Sequence, residues 1–481
     1  MRPLEIAVTV ALLPYVLHLL SPSRGESMWF GLSLVIAGFL TIGQLLTEGY
    51  RWQMLPAYCL VVAFVLLESA RWMWAFRAPY VVGVAALFLE FAAIVLSSAL
   101  PVFKLPASSG PYKIGTQVRH IIDHDRRDPF ADKPNAAREL MIQIWYPVDP
   151  SMQGPVAPYR DRRITTLKDA HFSLAETHSM LGMQIASSQA RYPLLIYAPS
   201  WTGIRSENTF QVEELASHGY IVVAIDHPYS SRVTVFPDGS IAYRKFAGDE
   251  DYSSPAGLAA FIETADRQVE IRARDARFVL DTLERLDAHD PQGLLTGRID
   301  LDRIGIFGFS FGGTTAAETC LLDHRFKAGL NMGGMIAGES AKQGTSAPFF
   351  FMFEGLYDNP PYAPGSDLSK LDPAKRREVE FAREQFAEMR RSLAETGGYW
   401  MTVRGTRHMD FADSPFFSPL RRGQADPVHT ARIISQYVIA FFDKQLKGIE
   451  QPLLARSPGE IPEVRFEVWT PKASAALQLG H

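Results

Sequence analysis

Cysteine is nearly missing from this chain: 481 residues contain two, Cys59 and Cys320. No disulfide framework can be built from them, and no paired-cysteine metal motif occurs. Basic charge is not in excess either. Lysine and arginine number 48 against 52 aspartates and glutamates, a formal net charge of −4, so the chain lacks the basic face on which a nucleic-acid binder depends. It has no internal repeat and no low-complexity tract, which sets repeat architectures aside. Charge of either sign is scarcest in the first hundred residues, and that local shortage divides the chain.

Four apolar runs fill the region: residues 4–20, 28–46, 55–67 (with an extension to Phe76 left open) and 80–102. A helix needs about 20 apolar residues to cross a hydrocarbon core. The second and fourth runs reach that length; the first and third are shorter. Trp29, Trp52, Trp72, Trp74 and Tyr80 stand at run ends, where amphipathic rings favour the membrane interface. Arg2 before an apolar stretch imitates a signal peptide, but Leu19-Leu20-Ser21-Pro22-Ser23 offers no small-x-small cleavage site and three more runs follow. The expectation is a membrane domain over residues 1–105 with four transmembrane helices, in an integral, multi-pass protein of the cell membrane. Four spans return the chain to the side of its N-terminus. Arg2, Arg51, Lys104 and Lys113 fall on that side, against Arg24, Arg71 and Arg77 on the other, a balance that leaves the side undecided. Glu5 and Glu90 lie inside apolar runs. An intramembrane carboxyl either marks a function or is protonated and hydrogen-bonded between helices; the second is the plainer reading.

From about residue 106 the composition becomes that of a soluble domain, expected to extend to residue 481. Strands and helices alternate, which implies a mostly parallel sheet covered on both faces. Residues 140–146, 194–198, 220–225, 348–353 and 399–403 read as strands. Residues 212–218, 373–396 and 431–446 read as helices. A long helix is expected over 255–288, where Val269, Ala273, Ala276, Leu280 and Leu283 recur at spacings of four and three.

Residues 304–315 carry the most information: an alternating apolar run (Ile304, Ile306) ends in Gly308-Phe309-Ser310-Phe311-Gly312, and small, helix-compatible residues follow. This is the pattern of the nucleophile elbow in an α/β-hydrolase, a sharp strand-to-helix turn that lifts a serine above the sheet edge. Serine needs an imidazole to take its proton, and the imidazole needs an acid to hold its tautomer. In this fold the order is serine, acid, histidine. The histidine is His408, on the loop Arg404-Gly405-Thr406-Arg407-His408 just past a late strand. His218, at a helix end, and His227, after a strand, read as structural.

With these words in view, the chain resembles the platelet-activating-factor acetylhydrolases of the plasma, lipoprotein-associated type and their bacterial relatives. The resemblance rests on Gly308-Phe309-Ser310-Phe311-Gly312-Gly313, on Asp323-His324-Arg325-Phe326-Lys327-Ala328-Gly329, and on Arg404-Gly405-Thr406-Arg407-His408 with Phe411-Ala412-Asp413. Leu215-Ala216-Ser217-His218-Gly219-Tyr220 and Arg274-Asp275-Ala276-Arg277-Phe278 add to it. It spans roughly residues 111–446 and does not reach the membrane region. It implies Ser310 as nucleophile and His408 as base, with no metal or other cofactor.

The acid departs from the family's pattern. The family places its aspartate shortly after the Arg-Phe-Lys-Ala-Gly word, and here that stretch continues Leu330-Asn331-Met332-Gly333-Gly334. Gly333 holds the expected position, and glycine cannot orient an imidazole. The next apolar strand ends in Phe353-Glu354-Gly355-Leu356-Tyr357-Asp358, and most other α/β-hydrolases keep their acid after that strand. Asp358 is therefore the expected third member, with Glu354, Asp410 and Asp413 as rivals; a relative without a working acid is the remaining alternative. For the oxyanion hole, Phe311 follows the nucleophile and supplies one N–H. The second is expected from Pro199-Ser200-Trp201-Thr202-Gly203, where the resemblance puts the donor at Trp201; Pro199 has no N–H to give.

The reaction implied is hydrolysis of a carboxylic ester through an acyl-serine, and by resemblance the substrate is a phospholipid with a short or oxidised acyl group at the middle glycerol position. Two other readings stand beside it. One is a hydrolase of small soluble esters or lactones that uses the membrane segment only as an anchor. The other is a membrane sensor whose hydrolase fold binds without turnover, which Gly333 favours. Residues 165–189, with Leu167, Phe172, Met180 and Met183, form an apolar stretch readable as a lid or, more plainly, as core packing.

Overall fold

Each of the four apolar runs is a helix: α1 (Pro3–Leu20), α2 (Met28–Thr47), α3 (Leu55–Trp74) and α4 (Tyr80–Ala99). The third takes the longer of its two expected extents, and all four are long and apolar enough to cross a membrane by length and composition. In this computed structural model, which describes residues 1–21, 28–74, 80–164, 166–245, 250–455 and 461–471, they form the body of one of two compact units. Arg24 and Arg77, counted above, lie outside the described residues, as do Pro22, Ser23 and Phe76. Val8, Leu12, Tyr15, Phe64 and Ala93 pack inward. Outward, Phe39 is 73% exposed and Phe88 71%, so the helices are apolar on faces that a water-soluble bundle would make polar.

Arg51 ties one end of this bundle together. It is buried, and its Nη1 donates to both oxygens of Glu5 at 2.9 and 2.8 Å. Its Nη2 donates to the Ser97 carbonyl at 2.9 Å and also to that of Leu100. A buried ion pair needs its remaining hydrogen-bonding capacity met, and here two backbone carbonyls at the end of α4 meet it. Glu90 is different: it is buried, yet its Oε2 has no hydrogen-bond partner among the described residues.

The same unit includes two segments from far along the chain, Pro158–Glu176 and Phe416–Arg421. Phe103, Tyr159, Phe172 and Phe417 form one aromatic cluster in it, with the Phe172 and Phe417 centroids 4.6 Å apart. Residues 165–189 hold a 3-10 helix (Leu167–Leu174) and a strand (Glu176–Leu181) rather than an apolar α-helix. Residue 165 and the Leu167 side chain lie outside what is described. Phe172 and Met180 are buried, which is the core-packing reading of this stretch.

The second unit is built on a sheet. β1 (Lys113–Arg127) and β2 (Ala137–Val148) pair antiparallel. β3 (Tyr192–Ala198), β4 (Ile221–Asp226), β5 (Ile299–Phe309), β6 (Phe326–Met332), β7 (Phe349–Glu354) and β8 (Gly398–Val403) follow, and β9 (Val464–Trp469) closes one edge. The order is β9-β8-β7-β6-β5-β3-β4-β2-β1, with Glu176–Leu181 and Val156–Pro158 beyond β1. From β4 across to β8 every neighbouring pair is parallel. Strands buried on both faces read as continuous apolar runs, which is why Phe349-Phe350-Phe351-Met352-Phe353 carries no alternation and is wholly buried.

Successive side chains point to opposite faces. Ile304 and Ile306 belong to the apolar cluster that also holds residues of α6 (Pro255–Ala288) and α8 (Pro373–Thr396); Phe307 and Phe309 belong to the one that holds residues of α5 (Thr209–Ser217) and α9 (Pro427–Lys447). The long helices begin alike. Ser254 accepts from the Gly257 N–H, Asp372 from those of Ala374 and Lys375, and Asp426 from that of His429, each followed by proline at the first helical position. A cap oxygen and a proline there satisfy or remove donors that the first turn leaves orphaned.

Candidate active site

β5 ends at Phe309 and α7 (Phe311–Leu322) begins two residues later. Ser310 between them has φ 54° and ψ −127°, a left-handed conformation costly for a residue with a Cβ. Its N–H donates to the Met332 carbonyl at the end of β6, 2.7 Å away. The flanking glycines are required sterically. A Cβ on Gly308 would lie 2.2 Å from the Gly312 carbonyl carbon, and one on Gly312 would lie 1.9 Å from the Ala198 oxygen. Sequence and structure agree on an elbow at Ser310.

His408 follows β8 on its loop, with 40% of its side chain exposed. Its ring lies over Phe309 with centroids 4.8 Å apart. Nδ1 sits 2.9 Å from Oε1 of Glu354, which is buried at the last position of β7. Burial works against a charged ring here. The hydrogen bond and charge of Glu354, with Glu250 and Glu207 contributing from farther off, outweigh it and hold the His408 pKa above its ordinary value.

Asp358 does not meet His408, which corrects the expectation above. After β7 the chain winds into a 3-10 turn (Gly355–Asp358). That turn carries Asp358 to Thr402 Oγ1 and to Arg465 Nη1, 3.0 Å away. The carboxylate that meets His408 stands at the end of β7, four positions earlier. The other rivals have structural partners: Asp410 accepts from the Arg407 N–H at 2.8 Å, and Asp413 accepts from the N–H groups of Thr209 and Phe210 at the start of α5. Gly333, with φ +73°, stands beside the imidazole.

Ser310, His408, Glu354, Gly333, Phe311 and Trp201 line one cavity of about 1830 Å³. They come from the carboxyl ends of five consecutive strands, β8, β7, β6, β5 and β3, where open α/β sheets place their ligands. Leu258, Phe261 and Ile262 of α6 and Phe381 of α8 supply apolar wall. None of the described residues in 165–189 lines it.

Phe311 is the first residue of α7, and a first-turn N–H has no intrahelical acceptor. Its ring meets that of Trp201 edge-on, centroids 4.1 Å apart. The loop carrying Trp201 is pinned through Ser200, whose N–H and Oγ donate to Glu207 at 2.8 and 2.6 Å. Glu207 is one of two residues that sequence reasoning missed, and no local signal marks it. The other, Arg272, had one: a cation inside the buried stripe Val269, Ala273, Ala276. His227 is buried on Asp275 at 2.9 Å, with its pKa pushed down by burial to about 4, and His218 bonds the Glu214 carbonyl. Both are structural.

The sequence matches the family described as platelet-activating factor acetylhydrolase, isoform II, over residues 98–451. It is similar to a probable 1-alkyl-2-acetylglycerophosphocholine esterase of Arthroderma benhamiae, 23% identical over 405 residues, which are 77% of this chain and 96% of that protein. It is 24% identical to the platelet-activating factor acetylhydrolase of Cavia porcellus over 368 residues, 71% of this chain and 78% of that one. Among solved structures, a ferulic acid esterase from Streptomyces cinnamoneus matches with a TM-score of 0.60 and 28% identity, over 76% of this chain and 99% of its own.

Proposed function

The chain belongs to the platelet-activating factor acetylhydrolase, isoform II, family and is a carboxylic ester hydrolase, and from that premise we propose that it works through an acyl-serine on Ser310, with His408 as base and Glu354 as the acid. The observation that carries this reading is the 2.9 Å contact between His408 Nδ1 and Glu354 at the cavity that Ser310 also lines. With Nδ1–H donated to the carboxylate, Nε2 is the nitrogen left to take the Ser310 proton. Ser310 Oγ attacks the ester carbonyl, and the N–H groups of Phe311 and Trp201 receive the developing oxyanion. One such donor contributes about 3–4 kcal/mol to the barrier reduction. His408 then protonates the leaving alcohol, and a water activated by the same ring hydrolyses the acyl-serine.

The substrate class we assign is a phospholipid bearing a short or oxidised acyl group. The names of the relatives support it, as does a cavity larger than the roughly 300–1,000 Å³ usual for small-molecule sites. The four apolar helices support a membrane anchor that holds the enzyme near lipid. A second reading, hydrolysis of small soluble esters, is favoured by the likeness to a ferulic acid esterase. A fluorophosphonate probe on the detergent-solubilised chain tests the mechanism: labelling is expected in the wild type, absent in Ser310→Ala and slowed in His408→Ala and Glu354→Gln. Unlabelled wild type would move the reading to a non-catalytic sensor. Turnover of 2-acetyl phospholipid compared with p-nitrophenyl acetate and methyl ferulate then separates the two substrate readings.

A further inference from the structure

Arg272 lies on the buried stripe of α6, next to Ala273 and one turn from Val269 and Ala276, and is itself fully buried. A guanidinium in such a place needs partners for its donors. Nη1 donates to the carbonyls of Pro199 and Ser200, each at 3.0 Å. Nη2 donates to the Trp201 carbonyl at 2.6 Å and to Ser230 Oγ, and Nε donates to the same hydroxyl at 3.0 Å. All five hydrogen bonds end on neutral oxygens, three of them successive carbonyls of the loop after β3. The guanidinium carbon also stands 5.0 Å from the centre of the Phe311 ring. One side chain therefore touches the loop of Trp201 and the residue that follows Ser310.

We propose that Arg272 is the positioning residue of the oxyanion hole, resting on the reading that Trp201 and Phe311 are its donors. The reason is peptide geometry. In a trans peptide the C=O and N–H of one unit point in opposite directions. Ser200 O and Trp201 N–H belong to one unit, so a guanidinium holding Ser200 O fixes the direction of the Trp201 N–H, away from Arg272. Holding Pro199 O and Trp201 O as well stops the neighbouring units from rotating. Three carbonyl dipoles left to turn would bring negative ends toward the place where negative charge develops; Arg272 keeps them turned away. The planar fork is suited to this, whereas the single ammonium of lysine cannot hold three oxygens in fixed directions. Burial pushes the Arg272 pKa down, and the charges of Asp275 and Glu207 oppose that loss.

The test uses the full-length chain in detergent with p-nitrophenyl acetate. Arg272→Met is expected to lower kcat about 100-fold or more, the range for loss of one oxyanion donor, with KM within about threefold of wild type. Arg272→Lys should fall between, and labelling by the fluorophosphonate should slow in step with kcat. A residue that merely supported the fold would lower the amount of enzyme that the fluorophosphonate finally labels and leave kcat per labelled site at the wild-type value, so kcat is taken per labelled site. Wild-type kcat in Arg272→Met, or a rise in KM with kcat kept, overturns the proposal. Should Arg272→Met not fold, Arg272→Lys decides alone, and wild-type kcat in it overturns the proposal. Trp201→Pro removes the N–H, and Trp201→Phe retains it. If Trp201→Pro keeps the kcat of Trp201→Phe, the donor lies elsewhere and the underlying reading fails. If it loses kcat while both Arg272 variants keep theirs, the donor is right and the role of Arg272 is wrong.

Discussion

Gly333 and Glu354 reach the same imidazole from neighbouring strands. A Cβ on Gly333 would stand 3.0 Å from Nδ1 of His408 and 3.7 Å from Oε2 of Glu354. The Gly333 N–H donates to the Met352 carbonyl at 2.8 Å, so the ends of β6 and β7 are side by side there. A carboxylate can thus approach His408 from either strand end, and in this chain the buried one comes from β7. A glycine where the resemblance implies an aspartate therefore does not by itself leave His408 without a carboxylate.

Glu354→Gln keeps the shape of the side chain and removes its charge. By analogy with the amide substitution in a serine-protease triad, kcat should fall roughly 10³–10⁴-fold. The pH profile of the residual activity gives a second readout. Activity needs neutral His408, so it rises as pH passes the His408 pKa. Glu354 raises that pKa, and its removal should move the rising limb to lower pH. A limb that stays in place or moves upward would count against the pairing.

Placing the acid on the other strand should repair the damage. Gly333 has φ +73°, and aspartate is among the few residues that adopt this region at modest cost. Gly333→Asp added to Glu354→Gln should recover at least about tenfold in kcat over Glu354→Gln alone. The 3.0 Å approach requires the ring to give by a few tenths of an ångström, so full recovery is not expected. Equal kcat in the single and double variants would refute the shared approach.

Asp358→Asn should leave kcat within about threefold of wild type, because its partners are Thr402 and Arg465 and not His408. Arg465 is 51% exposed, and such a pair contributes about 0–1 kcal/mol. A loss approaching that of Glu354→Gln would restore Asp358 as the acid.

In the helical unit, Arg51→Met removes the cation that faces Glu5 and two carbonyls at the end of α4. Breaking one side of a buried ion pair costs about 3–5 kcal/mol, and Arg2, 2.8 Å from Glu5, retains part of it. The thermal midpoint in detergent should fall clearly, and less in Glu5→Gln/Arg51→Met than in the single variant. An unchanged midpoint in Arg51→Met would show that the pair does not hold the bundle end.

Much was legible in order along the chain. The elbow announces itself because a strained turn admits only small residues at fixed offsets, so Gly308, Ser310 and Gly312 form a local word. His408 sits in another such word. The long helices were legible from spacing and the buried strands from unbroken apolar runs. Asp358 and Glu354 were not separable in this way. In the sequence both stand just past the apolar run 348–353, and which one faces the imidazole depends on where β7 stops and the 3-10 turn begins.

Local chemistry in the sequence by itself determined an α/β sheet domain with Ser310 at its elbow and His408 after a late strand, preceded by four apolar helices, because steric demand, periodicity and hydropathy act over short stretches. Only the tertiary structure decided what crosses those stretches. It put Glu354 on His408, turned Asp358 to Thr402, set Arg272 under three carbonyls of a loop some seventy residues earlier, and joined residues 158–176 and 416–421 to the helical unit. Hydrogen bonds and burial are satisfied between elements distant in sequence, and no local pattern encodes which distant partner will satisfy them.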